Sequence, residues 1–467
     1  MHIVGIVAEY NPFHTGHAHH INEIKKIYPD ALIVVAMSGS FVQRGEPALF
    51  DKFLRSQWAL MSGAHAVVEL PTIFATSNAE RFATGAVRLL AGLGVTTLSF
   101  GAETSDIDLL WQLSKISQSA AVQSQCQAYL KEGYSYGTSL RKAIQHADAN
   151  LALNGDDLER VLTGPNNILA LEYVKAIQTH RLPLQILPIA RQSDHHSSSL
   201  SQHFPSGTAL RQAISELSIT TTNAIAATRN MNFNTPENIE TSDLKKSLPS
   251  ELEIAELMSN FPVATQASVQ EALQHQRYVN YDYYMNLVHY QSRLKSAFDL
   301  KNYPDFTEGL ESLWSKASAA PSWPSALEEI KSKRYTFSRL QRMGAYTVLN
   351  ISKSLQDSAH RLGPTYARLL GFTNKARPWL KSRATATDLM GAIPLIQKWA
   401  PFVQDVQNVS NSSEAHQSQT SQLTRQLLEL DMRATDIQAL CMNTPEHRQG
   451  HRDYYMSPLY VKETSKF

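Results

Sequence analysis

Four short segments in the first hundred residues are largely apolar at consecutive positions, and helix-like segments separate them. They are Ile3–Ala8, Leu32–Met37, Ala66–Leu70 and Thr96–Phe100. Because apolar residues do not alternate with polar ones, both faces of each segment should be buried. This pattern, with a helix between successive strands, is typical of a parallel sheet covered on both sides. It predicts an α/β fold with a doubly wound parallel sheet.

The sequence changes character along the chain, which predicts successive parts. Residues 1–220 should form the α/β domain, with Leu184–Ile189 as its last strand. Residues 105–160 show helical spacing without a convincing strand, so we expect a helical insertion there. Residues 221–252 include a polar, acidic stretch with Pro236 and Pro249. This composition predicts a linker. Residues 253–467 show helical spacing and should be α-helical up to the end.

Composition excludes several classes of protein. The 467 residues include 43 Lys+Arg and 42 Asp+Glu, a net charge of +1, which excludes a globally basic coat but allows a local basic patch. The two cysteines, Cys126 and Cys441, cannot build a disulfide framework or a Cys-rich zinc site. The apolar runs are too short to cross a bilayer, and the N-terminus lacks the pattern of a signal peptide. We therefore expect a cytoplasmic protein without a membrane partner.

The most informative motif lies between the first strand and the first helix, where His14, Gly16 and His17 occur together. In a doubly wound sheet, ligands bind at the carboxyl ends of the strands near the switch point. A helix N-terminus there offers backbone N–H groups and a partial positive charge to a phosphate. Two imidazoles three residues apart can stabilise a pentavalent phosphorus and departing pyrophosphate, so His14 and His17 are the predicted catalytic residues. The alternative is an ordinary helix start with two surface histidines.

This stretch resembles the His-Ile-Gly-His-type nucleotidyltransferase superfamily, and it is neither a P-loop nor a Gly-x-Gly-x-x-Gly fingerprint. The resemblance implies attack on the α-phosphate of a nucleotide, with pyrophosphate leaving. Such enzymes usually have a second phosphate-binding element after the last strand. Ser206, Thr208 and Arg211 fit that place with two hydroxyls and a forked cation. The alternative is a plain helix cap with a surface arginine.

Further motifs restrict the resemblance from the superfamily to one family within it. They are Glu9–His14, Met37–Ala48, Asp51–Lys52, Glu69–Pro71, Phe100–Glu103, Pro165–Tyr173, Lys333–Thr336, Ser338–Arg342 and Ala367–Phe372. Together they resemble the bacterial tRNA(Met) cytidine acetate ligase family over nearly the whole chain. The resemblance implies that acetate attacks ATP to form acetyl-adenylate and pyrophosphate. The acetyl group would then pass to the exocyclic amine of the wobble cytidine in elongator tRNA(Met).

The resemblance also implies an ATP site, which carries over residue by residue. The implied ATP-binding residues are Val7, Ala8, Glu9, Tyr10, Asn11, Pro12, Phe13, His14, Thr15, Gly16, His17, Ala18, His19, His20, Gly101, Asn166 and Arg191. Of the two adjacent asparagines, Asn166 is favoured over Asn167. Gln192 and the residues after it depart from the family pattern beside Arg191, and Ala376 stands where a glycine is expected. Gly101, Asn166 and Arg191 could alternatively be a turn glycine, a helix cap and a surface cation.

Other charged residues allow more than one interpretation. Lys52 and Arg55 could reach anionic substrates or form a solvated helix face, and Arg44 could line the acetate or cytidine pocket. No metal cluster is evident, because the pairs His19–His20 and His195–His196 are sequence neighbours that rarely converge on one ion. A magnesium ion carried with the ATP phosphates would leave little protein signature.

A basic segment in the second half carries the prediction of RNA binding. Its predicted tRNA-binding residues are Lys333, Arg334, Arg339 and Arg342. Aromatic residues interleave with these cations, so the segment could follow phosphates while the rings stack on bases. The alternative is a solvated helix face. The implied partners are ATP, acetate and elongator tRNA(Met), with no obligatory protein partner.

Two other functions remain open from sequence. A small-molecule adenylyl- or cytidylyltransferase of coenzyme metabolism could use the same motif, although the large helical half argues against it. A non-catalytic RNA-binding protein on the same scaffold is the other, although the presence of His14, Gly16 and His17 together argues against it.

Overall fold

The computed structural model describes residues 1–147, 158–159, 161–162, 164–190, 206–217, 251–332, 335–384, 393–399 and 415–463. Its centre is an eight-stranded sheet. The strands are β1 (Ile3–Ala8), β2 (Leu32–Ser38), β3 (Ala66–Leu70), β4 (Thr97–Ala102), β5 (Gln185–Ala190), β6 (Ala367–Thr373), β7 (Leu395–Ile396) and β8 (Leu459–Val461). Their order is β5-β4-β1-β2-β3-β6-β7, with β8 also paired to β6. Strands β1 to β5 are parallel, which confirms the predicted doubly wound sheet.

Helices cover both faces of this sheet. In the first half they are α1 (Thr15–Ile27), α2 (Lys52–Met61), α3 (Thr72–Ala75), α4 (Ala79–Gly92), α5 (Ile107–Ser117), α6 (Ala120–Lys131), α7 (Tyr136–Ala147), α8 (Pro165–Thr179) and α9 (described over residues 207–217). Helices α1, α2 and α9 contribute to one apolar cluster, and α4, α5 and α8 contribute to the other. The described residues between 105 and 147 contain helices and no strand, and the insertion itself stays a prediction.

The second half is mostly helical. Its helices are α10 (Glu251–Ser259), α11 (Val263–Gln274), α12 (Tyr281–Leu294), α13 (Ala297–Leu300), α14 (Leu310–Ala317), α15 (Trp323–Ile330), α16 (Phe337–Val348), α17 (Lys353–Leu362), α18 (Arg377–Ala384), α19 (Ala415–Leu440) and α20 (Arg452–Tyr455). No helix in the described part of the chain is both long enough and apolar enough to span a bilayer. The predicted linker falls mostly on residues 218–250, which lie outside the described residues, so the domain boundaries stay a prediction.

The expectation of helices up to the end of the chain is wrong at β6, β7 and β8, which lie in that region and join the sheet. Strand β6 pairs antiparallel with β3, with Ala66 opposite Phe372 and Glu69 opposite Arg368. Strands β7 and β8 are both parallel to β6. The sheet is therefore mixed, and residues from both halves of the chain build it. Strand β6 is almost wholly buried because it lies between β3 and the last two strands.

Where β3 meets β6, four charged side chains form a buried charge cluster. It consists of Lys52, Glu69, Arg368 and Asp453, each at most 4% exposed. The ammonium nitrogen Nζ of Lys52 lies 2.8 Å from Glu69 Oε1 and 2.9 Å from Asp453 Oδ2. Arg368 Nη1 lies 2.9 Å from the same Asp453 oxygen. Two cations thus neutralise two carboxylates, which is how a protein interior accommodates charge.

Candidate active site

The predicted nucleotide motif lies at the switch point of the sheet. Strand β1 pairs with β2 on one side and β4 on the other, so the chain winds in opposite directions from β1. The register that aligns Ile6 with Ser99 brings the end of β1 beside Gly101, near the end of β4. Open α/β sheets bind ligands at the crevice that forms there.

His14 and His17 form a reciprocal cap on α1. His14 is the N-cap residue, and its Nδ1 accepts a hydrogen bond from the backbone N–H of Gly16 at 3.1 Å. Nδ1 of His17 accepts one from the backbone N–H of His14 at 3.2 Å. The two ring centroids are 3.8 Å apart. The arrangement is a capping box in which imidazoles replace the usual hydroxyl and carboxylate.

These bonds determine which ring nitrogen carries the proton. Because Nδ1 of each ring accepts a backbone N–H, a neutral His14 or His17 must carry its proton on Nε2. The cap thus orients both rings and makes each Nε2 a hydrogen-bond donor. Donors held in fixed positions stabilise developing negative charge without having to reorganise.

The expectation that the first turn of α1 offers free backbone N–H groups is wrong. Thr15 N donates to Asn260 O at 2.9 Å, and Gly16 N donates to the His14 ring. His17 N and Ala18 N both donate to His14 O, at 2.9 and 3.2 Å. The remaining attractions for an anion at this turn are the dipole of α1 and the imidazole N–H groups.

Two buried aromatic residues, Tyr10 and Phe13, pack beneath the first turn of α1 and contact the ring of His17. Tyr10 is 2% exposed and Phe13 is fully buried. The Tyr10 ring lies edge-on to His17, with centroids 4.8 Å apart, and packs edge-on against Phe13 as well. Burial raises the pKa of the Tyr10 phenol, which therefore stays neutral. These contacts restrict the rotation of His17.

Arg55 links the loops that follow β1 and β2. It is fully buried, and its Nη1 donates to Glu9 O at 2.6 Å and to Ser38 O at 3.0 Å. Burial lowers the pKa of its guanidinium to about 10, so the side chain stays charged. Both sequence interpretations of Lys52 and Arg55 were wrong, since neither residue is solvated or open to a substrate. Sequence could not show this, because the partners of both residues come from distant segments.

The loop between β2 and α2 is tied to the β1 loop from the other side. Gln43 N donates to Glu9 Oε1 at 2.8 Å, and Leu49 N donates to Asn11 Oδ1 at 2.8 Å. Arg44 is exposed between these anchors. Its role in a substrate pocket stays a prediction.

Gly101 and Asn166 lie at the same edge, on β4 and at the start of α8. Asn166 Nδ2 donates to Glu103 Oε1 at 2.7 Å, and Asn166 is half-buried. Asn167 is fully buried, and its Oδ1 accepts from Glu103 N at 2.9 Å and from Thr104 N at 3.1 Å. Asn167 therefore fastens the turn after β4, whereas Asn166 retains partial exposure. This difference favours Asn166 as the nucleotide contact.

The second predicted phosphate element lies directly against the β1 loop. Arg211 Nη1 donates to Asn11 O at 2.7 Å, and its Nη2 donates to Thr208 Oγ1 at 3.2 Å. Ser206 Oγ accepts from the N–H of Ala209 at 3.1 Å, so it also caps the helix as the alternative interpretation states. Burial raises the pKa of nearby Glu46, although Arg211 opposes that shift. Arg191 lies outside the described residues.

Comparisons with known proteins show which family the chain belongs to. A family model described as HIGH Nucleotidyl Transferase matches residues 1–453. The tRNA(Met) cytidine acetate ligase of Syntrophomonas wolfei is 31% identical and covers 98% of this chain and 99% of that protein. The Clostridium perfringens protein of the same name is 32% identical and covers 99% of this chain and all of that protein. The chain belongs to the tRNA(Met) cytidine acetate ligase family. The predicted resemblance is thereby confirmed.

Solved structures extend this likeness to the fold. Apo Thermotoga maritima TmcAL matches with a TM-score of 0.81 at 27% identity, covering 99% of this chain and all of that chain. A second crystal form of that protein, bound with alpha-thio ATP, matches with a TM-score of 0.80. The predicted fold class is confirmed for this member of the ligase family.

The predicted RNA-binding residues lie partly on α16. Arg339 is half-buried, donates to Asp305 O at 2.9 Å and stacks 5.3 Å from the Tyr335 ring. Arg342 packs so closely on the β2–α2 loop that a Cβ added to Gly45 would lie 2.5 Å from Arg342 Cα. Lys333 and Arg334 lie outside the described residues. Within the described ranges, no three His, Cys, Asp or Glu residues are grouped to hold a metal ion.

Proposed function

We propose that this member of the tRNA(Met) cytidine acetate ligase family activates acetate with ATP and acetylates the wobble cytidine of elongator tRNA(Met). The observation that carries the proposal is the pair of imidazoles that cap α1 at the switch point of the sheet. Both are oriented by backbone bonds, with their Nε2–H groups as donors. The family relationship supplies acetate and the tRNA as substrates. The work on tRNA favours a cytoplasmic location.

In the first step, a carboxylate oxygen of acetate attacks the α-phosphorus of ATP. The bond from that phosphorus to the bridging oxygen breaks, and pyrophosphate leaves with the bonding electrons. Charge builds up on the phosphoryl oxygens, and His14 and His17 stabilise it through Nε2–H donors. Arg211, which reaches the same loop, would neutralise the departing phosphates. The products are acetyl-adenylate and pyrophosphate.

In the second step, the exocyclic amine of cytidine attacks the acetyl carbonyl carbon. The bond from that carbon to the AMP oxygen breaks, AMP leaves with the bonding electrons, and the amine releases one proton to water. The cytidine must be unstacked from its neighbours to present this amine, which single-stranded anticodon bases allow.

The nucleotide would extend from the β1 loop toward β4. Residues 7–20 would surround the phosphates, while Gly101 and Asn166 would contact the ribose or base across the crevice. Asn166 can serve because its amide is anchored to Glu103 yet partly exposed. Any magnesium would arrive with the phosphates rather than in a preformed protein site.

The RNA surface would lie next to this site. Arg342 abuts the Gly45 loop, and the same loop is joined to Glu9 through Gln43. A tRNA bound by α16 would therefore lie beside the loop that follows β1. This proximity supports transfer to an RNA substrate over release of the adenylate.

One experiment separates the three candidate functions. Purified protein is given ATP and labelled acetate, with and without tRNA, and acetate-dependent ATP–pyrophosphate exchange is measured together with acetylated cytidine by mass spectrometry. We expect exchange that needs acetate and a modified cytidine that needs tRNA. Adenylation of a phosphorylated metabolite would establish the coenzyme enzyme instead, and tRNA binding without ATP turnover would establish the non-catalytic binder.

The RNA surface has its own test in Arg339→Gln and Arg342→Gln. We expect the double variant to bind tRNA about tenfold more weakly, with a flatter salt dependence, because phosphate contacts release counterions. ATP–pyrophosphate exchange should stay near that of the unmodified protein. The control is Arg425→Gln, since Arg425 is an exposed cation paired with Glu429 on α19. Equal salt slopes for both proteins would remove α16 from the RNA surface.

A further inference from the structure

A cavity of about 440 Å³ lies between helices α4 and α8, away from the site above. The last turn of α17 and the turn between α5 and α6 complete its walls. None of the predicted ATP-binding or tRNA-binding residues lines it. Binding sites for small molecules commonly have volumes of this order.

One end of the cavity carries a positive charge without a carboxylate partner. The Arg88 guanidinium lies flat on Gly363, where a Cβ would come within 2.1 Å of Arg88 Cζ. Its Nη2 donates to Leu362 O at 2.6 Å. Burial lowers the pKa of Arg88, and no carboxylate of the described residues forms an ion pair with it. Burial and the charge of Arg88 also lower the pKa of neighbouring His180.

Two residues that line the cavity each have a buried polar atom that forms no hydrogen bond with the described residues. Glu172 is 2% exposed, and its Oε1 accepts from Tyr136 OH at 2.8 Å and from Lys175 at 3.0 Å. Its Oε2 is buried and has no partner, and the same holds for Nδ1 of His360.

We propose that this cavity binds a small metabolite that carries an oxyanion. The anionic group would bind at Arg88 and His180, where a guanidinium can grip two oxygens at once. Phosphate esters and carboxylates share this chemistry, and the volume admits a sugar phosphate.

The first test measures binding to the full chain by calorimetry while a non-hydrolysable ATP analogue saturates the nucleotide site. Inorganic phosphate, ribose 5-phosphate and succinate are the probes, so that a phosphate source and a carboxylate source are distinguished. We expect ribose 5-phosphate or succinate to bind saturably and more tightly than inorganic phosphate. Arg88→Gln should weaken that binding about tenfold or more, because a charged hydrogen-bond donor is lost.

A second, matched pair of variants does not depend on the buried arginine. Thr179 lies at the exposed rim of the cavity. Thr179→Glu adds a negative charge and should weaken binding roughly threefold or more, whereas Thr179→Gln adds the same bulk and should change it by less than about twofold. This pair decides the question if Arg88→Gln fails to fold. The proposal is overturned if no probe binds saturably, or if binding is equal in both Thr179 variants.

Discussion

Two groups of ionisable side chains lie at the carboxyl edge of the same sheet, and they differ in how their polar atoms are satisfied. At the end of β3, the members of the buried charge cluster pair with one another and not with solvent, since Lys52 is fully buried and contacts both Glu69 and Asp453. At the end of β1, His14 and His17 are half-exposed, and Nδ1 of each ring is used by the backbone.

This difference distinguishes charged side chains that stabilise the fold from ionisable side chains that are proposed to act on a substrate. The cluster pairs its opposite charges with one another, although Asp453 Oδ1 forms no hydrogen bond with the described residues, and these ion pairs hold β3 against β6. The imidazoles use Nδ1 for orientation, and Nε2 of each is the donor that the proposed reaction requires. A substitution in the first region should therefore change stability, and one in the second should change the rate.

The largest effect is expected for Lys52→Met. Removing the ammonium leaves Glu69 and Asp453 buried with reduced compensation, which should lower the free energy of unfolding by about 3–5 kcal/mol. Urea denaturation followed by circular dichroism measures this. Lys26→Met is the matched control, because Lys26 is exposed and, among the described residues, forms an ion pair with Glu23 alone; it should leave the midpoint unchanged. Equal midpoints for the two variants would contradict the structural role of the cluster.

The next effect is on catalysis. His17→Ala should slow acetyl-adenylate formation about a hundredfold, because one fixed donor to the phosphoryl oxygens is lost. ATP–pyrophosphate exchange measures the rate, and tRNA affinity should stay nearly intact. His17→Asn keeps an oxygen that can accept the His14 N–H, so it tests whether the cap alone explains the loss. Full activity in the alanine variant would remove His17 from the mechanism.

A smaller contrast is expected between two adjacent asparagines. Asn167→Ala removes the acceptor for two backbone N–H groups and should destabilise the protein by about 1–3 kcal/mol. Asn166→Ala should leave stability nearly unchanged and raise the KM for ATP by about three- to tenfold, since only one ligand contact is lost. Thermal unfolding and steady-state kinetics separate the two. The reverse outcome would assign the nucleotide contact to Asn167.

The last effect is a pH dependence near the buried charge cluster. Burial raises the pKa of Asp431 to about 7, against its hydrogen bonds from Tyr366 and the Thr72 N–H. The unfolded carboxyl titrates near 4, so between about pH 4 and 7 the native state binds more protons than the unfolded state. This stabilisation is complete below about pH 4 and is lost as the pH rises to about 7.

Asp431→Asn should remove this contribution. The difference in free energy of unfolding between the original protein and the variant should decrease steadily from about pH 4 to 7. Denaturant titrations across that range measure it, with the exposed Asp357→Asn as control. Parallel stability profiles would show that Asp431 titrates in the ordinary range.

Much of the sheet could be predicted from sequence, because β1 to β4 are short runs of mostly buried residues separated by amphipathic helices. The same pattern placed His14 and His17 at the carboxyl edge. Strand β6 could not be predicted, since it follows a long helical region and contains Arg368. Arginine is a residue type that is usually exposed to solvent. The burial of Arg368 depends on its ion pairs with Glu69 and Asp453, which are far away in the chain. The burial of Lys52 and Arg55 could not be predicted for the same reason.

The antiparallel pairing of β6 with β3 also bears on how the chain is made. On the ribosome, β3 emerges roughly 300 residues before β6, a delay of about 15–60 s at ordinary elongation rates. Throughout that interval its outer N–H and C=O groups form an open edge that can template aggregation. We therefore expect nascent fragments that end before residue 367 to require chaperones, and the intact protein to fold only after synthesis is nearly finished.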